Sequence, residues 1–471
     1  MTERNGMSAD DGRMSTPGVP GAVAGRGGAE AAAATGEVVG LSRAAAPAVT
    51  GDPVIDVGDW AGYPIVVAGI GADGWSGLGE SVRRAIGECD VVFGSSRQLA
   101  LLPPSDSERV PWPTPLLPAL PELFARNVDR HIGVLASGDP MFYGIGVTLA
   151  RRFGPSVLRV FPQPSSASLA CARLGWPLAE IPVVSVVARP LPTVLPELSE
   201  NRRILVLSED ETTPNRIAEL LRDNGFGAST LTVLEQLGGP AEQLRTGPAA
   251  TWDHPPADPL NIVAIDCRAD PGARRDTRLP GLADTAFAGD GQLTKAEVRA
   301  LTVTALAPAP GEMLWDIGGG SGSIAIEWCR THPLCRAVTF ERLPARREQI
   351  ATNITALGVP GITIRGEVRS ELAEEKISAP DAIFLGGGLT QEGMFERCWE
   401  RLRPGGRLVA NAVTAESEAL LLDWSARFGG ALRKFQIYRG EPLGTFTAWR
   451  PHLPVAQWVV RKPAGRPTGD P

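Results

Sequence analysis

At 471 residues the chain is too long for one ordinary hydrophobic core, so two or three domains are expected. Its 43% hydrophobic and 21% charged residues are those of a globular protein, and a net charge of -7 lacks the basic footprint of a nucleic-acid binder. No apolar run approaches the roughly 20 residues that span a bilayer, and the N-terminus shows no continuous apolar signal region, so a cytoplasmic protein with no membrane partner is expected.

Residues 1–60 are rich in Ala and Gly with scattered charges, bury too little apolar surface to offset their ordering entropy, and read as a disordered extension. From Tyr63 the pattern changes. Pro64-Ile65-Val66-Val67-Ala68-Gly69 is a continuous apolar run ending in glycine, as a buried parallel strand requires. Further strands are predicted over 90–93, 132–136, 157–161, 204–207 and 260–265, with helices over 81–88, 145–153 and 215–224 between them. Strands alternating with helices make 61–267 an α/β domain. An Arg-, Asp-, Pro- and Gly-rich stretch over 268–283 reads as a linker. A second α/β series occupies 284–471. It opens with a helix over 294–307, with Thr294 as N-cap and Glu297 completing a capping box, ended by Pro308 and Pro310. Strands follow over 313–317, 337–340, 362–364, 382–385 and 408–412, and polar–apolar alternation marks 435–438 and 457–460.

The second series carries the more informative loop. In Asp316-Ile317-Gly318-Gly319-Gly320-Ser321-Gly322 a strand runs into glycines at alternate positions, Gly318, Gly320 and Gly322, before a helix over 324–330. Such glycines let backbone approach a ligand closely, and a helix N-terminus offers free N–H groups. Asp316 precedes the first glycine, where a carboxylate repels phosphate. Glu341 ends the next strand, placed to accept ribose hydroxyls, and Glu367 follows the third, placed to accept an adenine amino group. A ligand with amine, ribose and adenine but no pyrophosphate is S-adenosylmethionine.

In the first series, Gly69 and Gly71 follow the first strand, Gly138 and Asp139 follow the strand over 132–136, and Ser166 lies in Pro164-Ser165-Ser166-Ala167 after the next. Three loops at strand carboxyl ends make a small-molecule cleft. The residues alone leave its ligand as nucleotide-like, with helix capping as an alternative role for Asp139.

These loops, in this order, resemble the class III tetrapyrrole methylases: a GIG loop, then A-S-G-D-P-x-x-Y-G, then Pro-x-Ser-Ser. The likeness is nearest to the branch acting at carbon 5 of a precorrin ring, carried by Asp90-Val91-Val92-Phe93-Gly94-Ser95-Ser96-Arg97, 138–148, 165–175 and Pro259-Leu260-Asn261. The second series is similar to the decarboxylating class I precorrin methyltransferases acting at carbon 15, through 287–300, 314–325 and 407–414. Two departures stand out: Ser185-Val186-Val187-Ala188-Arg189 replaces Ser-x-His-Gly-Arg, and Gly366-Glu367-Val368 replaces Gly-Asp-Ala.

The resemblance implies a tetrapyrrole methylase fold of two α/β lobes with a cleft, followed by a Rossmann-like class I methyltransferase domain. It implies S-adenosylmethionine in both halves: against Gly69, Gly71, Gly138, Asp139 and Ser166 in the first, and against Thr294, Gly318, Gly320, Gly322 and Glu341 in the second. It further implies cobalamin synthesis, with decarboxylation and carbon-15 methylation in the second half, carbon-5 methylation in the first, and homo-oligomeric assembly.

Methyl transfer from a sulfonium to an electron-rich macrocycle needs alignment and desolvation more than acid–base help. The scarcity of His and Cys fits that chemistry: six scattered cysteines without a C-x-x-C pair and four dispersed histidines give neither a metal site nor a disulfide framework. The catalytic residues stay unassigned. A carboxylate-rich substrate calls for cations at the clefts, and Arg189, Lys295 and Arg299 are the candidates. The rival readings are an RNA methyltransferase with the same cofactor folds, a nicotinamide oxidoreductase and a non-catalytic binding module.

Overall fold

The computed structural model describes residues 60–464 apart from 290, 292 and 372–376. The extension expected over 1–60 therefore lies outside the described residues, Trp60 excepted.

The first lobe alternates β1 (Ile65–Ile70), α1 (Glu80–Gly87), β2 (Val91–Gly94), α2 (Ser96–Ala100), β3 (Glu108–Pro111), α3 (Leu116–Ala125), β4 (Ile132–Ser137), α4 (Ile145–Phe153) and β5 (Leu158–Phe161). Its strands form a parallel sheet in the order β3-β2-β4-β1-β5. Both faces are covered, so β1 is buried along its whole length and reads as an unbroken apolar run. Helix α5 (Ser166–Leu174) then crosses to the second lobe, where its buried Ala167, Ala170 and Cys171 pack on Leu205, Leu234 and Ile262.

The second lobe holds β6 (Val183–Ser185), β7 (Arg203–Leu207), α6 (Thr213–Asp223), β8 (Thr230–Glu235), β9 (Gln243–Pro248) and β10 (Asn261–Asp266). Its sheet runs β6-β7-β10-β8-β9, parallel only between β6 and β7. The Tyr143 hydroxyl, from the first lobe, donates to the Val183 carbonyl at 2.9 Å and ties the two lobes together.

The second α/β unit contains α7 (Ala296–Leu306), β11 (Met313–Ile317), α8 (Ser323–Thr331), β12 (Arg336–Phe340), α9 (Pro344–Ala356), β13 (Ile362–Arg365), α10 (Val368–Glu371) and β14 (Ala382–Leu385). It continues with α11 (Met394–Arg401), β15 (Arg407–Ala412), α12 (Ala415–Phe428), β16 (Ala431–Phe435), β17 (Tyr438–Leu443), β18 (Phe446–Pro451) and β19 (Val455–Arg461). Seven strands pair in the order β13-β12-β11-β14-β15-β19-β16. The first five are parallel and β19 is antiparallel to both of its neighbours. The chain reverses its winding between β11 and β14, the switch point at whose carboxyl edge α/β sheets bind ligands. The alternation expected over 435–438 spans the end of β16 and the start of β17, which pairs only with β18.

The start of α7 corrects the expectation for Thr294. The N-cap is Lys295, with no side-chain cap bond, and the Ala296 N–H is taken instead by the Asp284 carboxylate at 2.9 Å. A capping box is a local device, whereas this helix is capped by a side chain twelve residues upstream.

The stretch 268–283 contacts both the second lobe and α8. Arg278 pairs with Glu197 of the second lobe and donates to the Arg330 carbonyl of α8 at 2.6 Å. Arg202 reaches the same Glu197 at 2.6 Å. Among the described residues no helix is long and apolar enough to cross a membrane.

Candidate active sites

In the first lobe the loops after β1, β4 and β5 converge. A Cβ on Gly69 would lie 2.0 Å from the Gly138 carbonyl oxygen and 2.9 Å from the Gln163 nitrogen, so only glycine lets these loops meet. Gly71 opens the turn that follows, its carbonyl accepting the Gly74 N–H at 3.2 Å. Asp139 accepts the Met141 N–H at 2.8 Å and does not cap α4, whose N-cap is Gly144. Ser166 is the first residue of α5, capped by Ser165 through the Ser168 N–H at 3.1 Å. The turn after β8 in the second lobe reaches the same loops, Gly239 lying against Ala72. Arg189 is exposed beside this cleft, its guanidinium 5.6 Å from the Tyr143 ring centroid.

In the second unit a cavity of about 900 Å³ opens at the switch point. Thr294, Lys295, Asp316, Gly318, Gly319, Gly320, Glu341 and Glu367 line it. Gly318 has φ +78°, and a Cβ there would stand 2.9 Å from the Gly387 backbone, so the loops after β11 and β14 touch main chain to main chain. Gly322 does not line the cavity. It is the left-handed N-cap of α8, packed against Ile350, so its glycine serves the turn, a correction to its expected contact with cofactor.

The fate of the loop amides decides what the site can hold. The N–H groups of Gly318 and Gly319 both donate to the Phe340 carbonyl at 3.0 Å, and that of Gly320 donates to the Glu341 carboxylate at 2.9 Å. A pyrophosphate site needs such amides turned toward the ligand. Here they are spent inside the protein, and a carboxylate stands in the phosphate's place. That arrangement disfavours a nicotinamide dinucleotide. It fits S-adenosylmethionine, whose ribose and amine call for acceptors. The Ser321 hydroxyl, buried on the cavity wall without a partner among the described residues, is a further polar group facing the cavity.

Asp316 is almost fully buried at the end of β11, opposite Thr339 in register, and its carboxylate accepts the Thr339 hydroxyl at 3.4 Å. Burial lifts its pKa to about 7, against the pull of hydrogen bonds from the Ala325 N–H and Thr339; the nearby Glu341 charge raises it further. Glu367 is exposed at the cavity mouth after β13. Lys295 lines the cavity with its ammonium 3.4 Å from the Gly291 carbonyl.

Arg299 corrects the expectation of a substrate-facing cation. It is fully buried, bonded to Glu327 at 2.5 Å, to Asp284 at 3.4 Å, to the Thr294 carbonyl at 2.5 Å and to the Leu282 carbonyl. Its guanidinium is consumed in holding α7, α8 and the segment before α7 together.

Comparisons with known proteins match both halves of the chain. A family profile described as "Precorrin methyltransferase domain" matches residues 285–462, and one described as "Tetrapyrrole (Corrin/Porphyrin) Methylases" matches residues 64–253. A Mycobacterium tuberculosis protein named precorrin-6Y C(5,15)-methyltransferase (decarboxylating) is 48% identical over 404 residues, 84% of this chain and 100% of that protein. A Sinorhizobium protein of the same name is 48% identical over 400 residues, 84% of this chain and 96% of that protein. A crystal structure of the C-terminal domain of precorrin-6Y C5,15-methyltransferase from Rhodobacter capsulatus is 45% identical, covering 40% of this chain and 100% of that one, with a TM-score of 0.38. The chain belongs to the precorrin-6Y C(5,15)-methyltransferase (decarboxylating) family.

Membership in the precorrin-6Y C(5,15)-methyltransferase family makes the protein a methyltransferase, with a tetrapyrrole methylase fold preceding a class I methyltransferase fold. Within this member, sequence reasoning missed the cavity wall opposite the glycine loop. Gln391, Val413, Phe435, Ile437 and Leu453 form much of it, from the loops after β14 and β15 and from the segments around the β17–β18 hairpin. Val413 and Leu453 are 56% and 71% exposed, apolar surface open to a ligand in the cavity. Position after a predicted strand end was the available signal for Gln391 and Val413. No spacing marks the others.

Proposed function

We propose that this protein methylates a precorrin at carbons 5 and 15 and removes the ring C acetate carboxyl in cobalamin biosynthesis. In this reading, residues 61–267 act at carbon 5, 268–283 connect the heads, and 284–471 carry out the decarboxylation and carbon-15 methylation. The observation that carries the reading is the continuous cavity from the Gly318–Glu341 loop to the apolar wall of Val413, Phe435 and Leu453. One end suits a nucleoside and the other the apolar face of a macrocycle whose carboxylates lie at its edge.

S-adenosylmethionine, when bound, supplies an electrophilic methyl group on a sulfonium. The residues around it hold, orient and dry the reactants. In the second head Glu341 and Glu367 offer acceptors at the nucleoside end, while Lys295 on the wall of the same cavity is a cation available to a substrate carboxylate. In the first, Gly69, Gly71, Gly138, Asp139 and Ser166 form the cofactor cleft, with Arg189 at its edge. Decarboxylation breaks the bond to the carboxyl carbon; the electron pair delocalises into the macrocycle and a proton replaces the lost carbon dioxide.

Homo-oligomeric assembly belongs to the same proposal. Among the described residues the β17–β18 hairpin pairs with no other strand, and it carries Phe446 at 78% and Trp449 at 74% exposure, a surface suited to a second copy of the chain. Multi-angle light scattering of the wild-type chain and F446E tests it: a dimer or larger species that shifts toward monomer in F446E is expected. Six buried, unbridged cysteines support a reducing, cytoplasmic location.

Single-head variants test the division of labour. With a precorrin-6 substrate, Gly69→Ala is expected to yield a product methylated at carbon 15 and decarboxylated but bare at carbon 5. Gly318→Ala is expected to lose carbon-15 methylation and decarboxylation together. Carbon-15 methylation that survives Gly318→Ala and vanishes in Gly69→Ala would reverse the assignment.

A further inference from the structure

Arg97 is a cation of the first head that sits beside the cofactor loop. It follows β2, whose carboxyl end faces the cleft. Ser95 caps the short α2 through the Gln98 N–H at 3.3 Å, and Gln98 returns a bond to the Ser95 N–H at 2.8 Å, so a complete capping box fixes Arg97 in the first turn. Its guanidinium donates to the Ser137 hydroxyl at 3.1 Å, and Gln98 donates to the same oxygen at 3.1 Å. Ser137 ends β4 and immediately precedes Gly138 and Asp139, so the tether sets the guanidinium beside the cofactor loop.

Three other arginines of this head are engaged by protein acceptors. Arg109 is bonded to the carbonyls of Leu99, Leu102 and Pro103, Arg130 to Glu108, Asn127 and the Asp90 carbonyl, and Arg173 to both oxygens of Glu242. Arg97 is half-buried and, among the described residues, holds a neutral hydroxyl and no carboxylate within ion-pair distance. The carboxylate whose field it feels is Asp258 of the second lobe, which is engaged by the Gln236 amide and the Leu260 N–H. A guanidinium partly stripped of water without an ionic partner is costly to keep, and its fork geometry matches a carboxylate bidentately.

We propose that Arg97 binds a peripheral carboxylate of the tetrapyrrole in the first head and so positions the macrocycle against the cofactor cleft. This inference rests on reading that head as a precorrin methylase. Arg97 is a positioning residue: it sets substrate affinity and orientation and takes no proton in the reaction.

Steady-state carbon-5 methylation by the full chain tests it, with wild type, Arg97→Lys and Arg97→Gln given the decarboxylated, carbon-15-methylated intermediate. A charge-assisted hydrogen-bonded pair corresponds to about 10- to 100-fold in binding. Arg97→Gln is therefore expected to raise the KM for the tetrapyrrole by that factor, while the KM for S-adenosylmethionine stays within about twofold. Arg97→Lys should recover part of the loss, and raising salt should weaken tetrapyrrole binding in wild type more than in Arg97→Gln. Carbon-5 methylation at saturating tetrapyrrole reports that the head holding Arg97 is folded. Should Arg97→Gln fold poorly, Ser137→Ala removes the tether and keeps the charge, and is expected to raise the tetrapyrrole KM by a smaller factor. An unchanged tetrapyrrole KM, or a parallel rise in the KM for S-adenosylmethionine, overturns the inference. Absence of carbon-5 methylation in wild type overturns instead the reading on which it rests.

Discussion

Glu341 accepts the Gly320 N–H at 2.9 Å through one carboxylate oxygen and the Leu343 N–H at 2.9 Å through the other. The acid that ends β12 is thereby fixed against the glycine loop before any ligand arrives, with lone pairs left for the cavity it lines. Glu341→Gln keeps the shape but replaces one acceptor oxygen with an amide NH2 that cannot accept an N–H. It is expected to raise the KM for S-adenosylmethionine in carbon-15 methylation by about 10- to 100-fold, the worth of one or two charge-assisted bonds. Carbon-5 methylation by the same chain should be unaffected. Equal damage at both carbons would remove Glu341 from the second site.

Asp316 makes the second head sensitive to pH in an unusual direction. Burial lifts its carboxyl from 3.8 to about 7. Because the folded value exceeds the unfolded one, the folded state binds the proton more tightly. The associated stability is complete below 3.8 and is lost as pH rises through about 7. Asp316→Asn has no proton to lose. Its melting temperature relative to wild type, measured without ligand, is expected to climb from pH 4 to 7 and level off above. A difference independent of pH contradicts the burial argument.

Arg299 and Lys295 stand four residues apart and should fail differently. Arg299→Met leaves Glu327 buried without its partner, and breaking a buried ion pair from one side costs about 3–5 kcal/mol. Loss of the second head's thermal transition is expected, visible by calorimetry. Lys295→Met removes a cation from the cavity wall and should leave melting within a few degrees while raising the KM for the tetrapyrrole at carbon 15. A stable Arg299→Met with weakened substrate binding would restore Arg299 to the substrate site.

The Arg278–Glu197 contact predicts a protease-sensitive joint. Arg278 bridges the second lobe and α8, and Arg330 donates to the Asp276 and Thr277 carbonyls from below. Arg278→Ala is expected to speed tryptic cleavage within 268–283 several-fold while each head stays active on its own carbon. Unaltered cleavage means that the Arg330 bonds suffice.

The parts legible in the sequence share a physical cause. β1 and β4 are buried on both faces, so burial is written as near-continuous apolar runs, and β11 and β15 keep the same pattern around one or two polar positions. The glycine loops are legible because Gly69 and Gly318 have backbone where a Cβ would stand. By contrast β9 and the β17–β18 hairpin are largely exposed, and their pairing is fixed by neighbours that local pattern does not reveal. Arg299 was misplaced because an arginine in a helix looks the same whether it meets solvent or a buried glutamate. Thr294 was misplaced because its capping role fell to Asp284, outside the local window. Arg97 has no periodicity at all; its significance lies in the absence of a carboxylate partner, visible only in three dimensions.

Product mass after incubating the full chain with a precorrin-6 substrate and methyl-labelled S-adenosylmethionine tests the two-headed assignment most directly. Gain of two labelled methyl groups with loss of one carbon dioxide is expected. A competent substrate recovered with neither change, or with methyl groups gained and its acetate carboxyl intact, contradicts it.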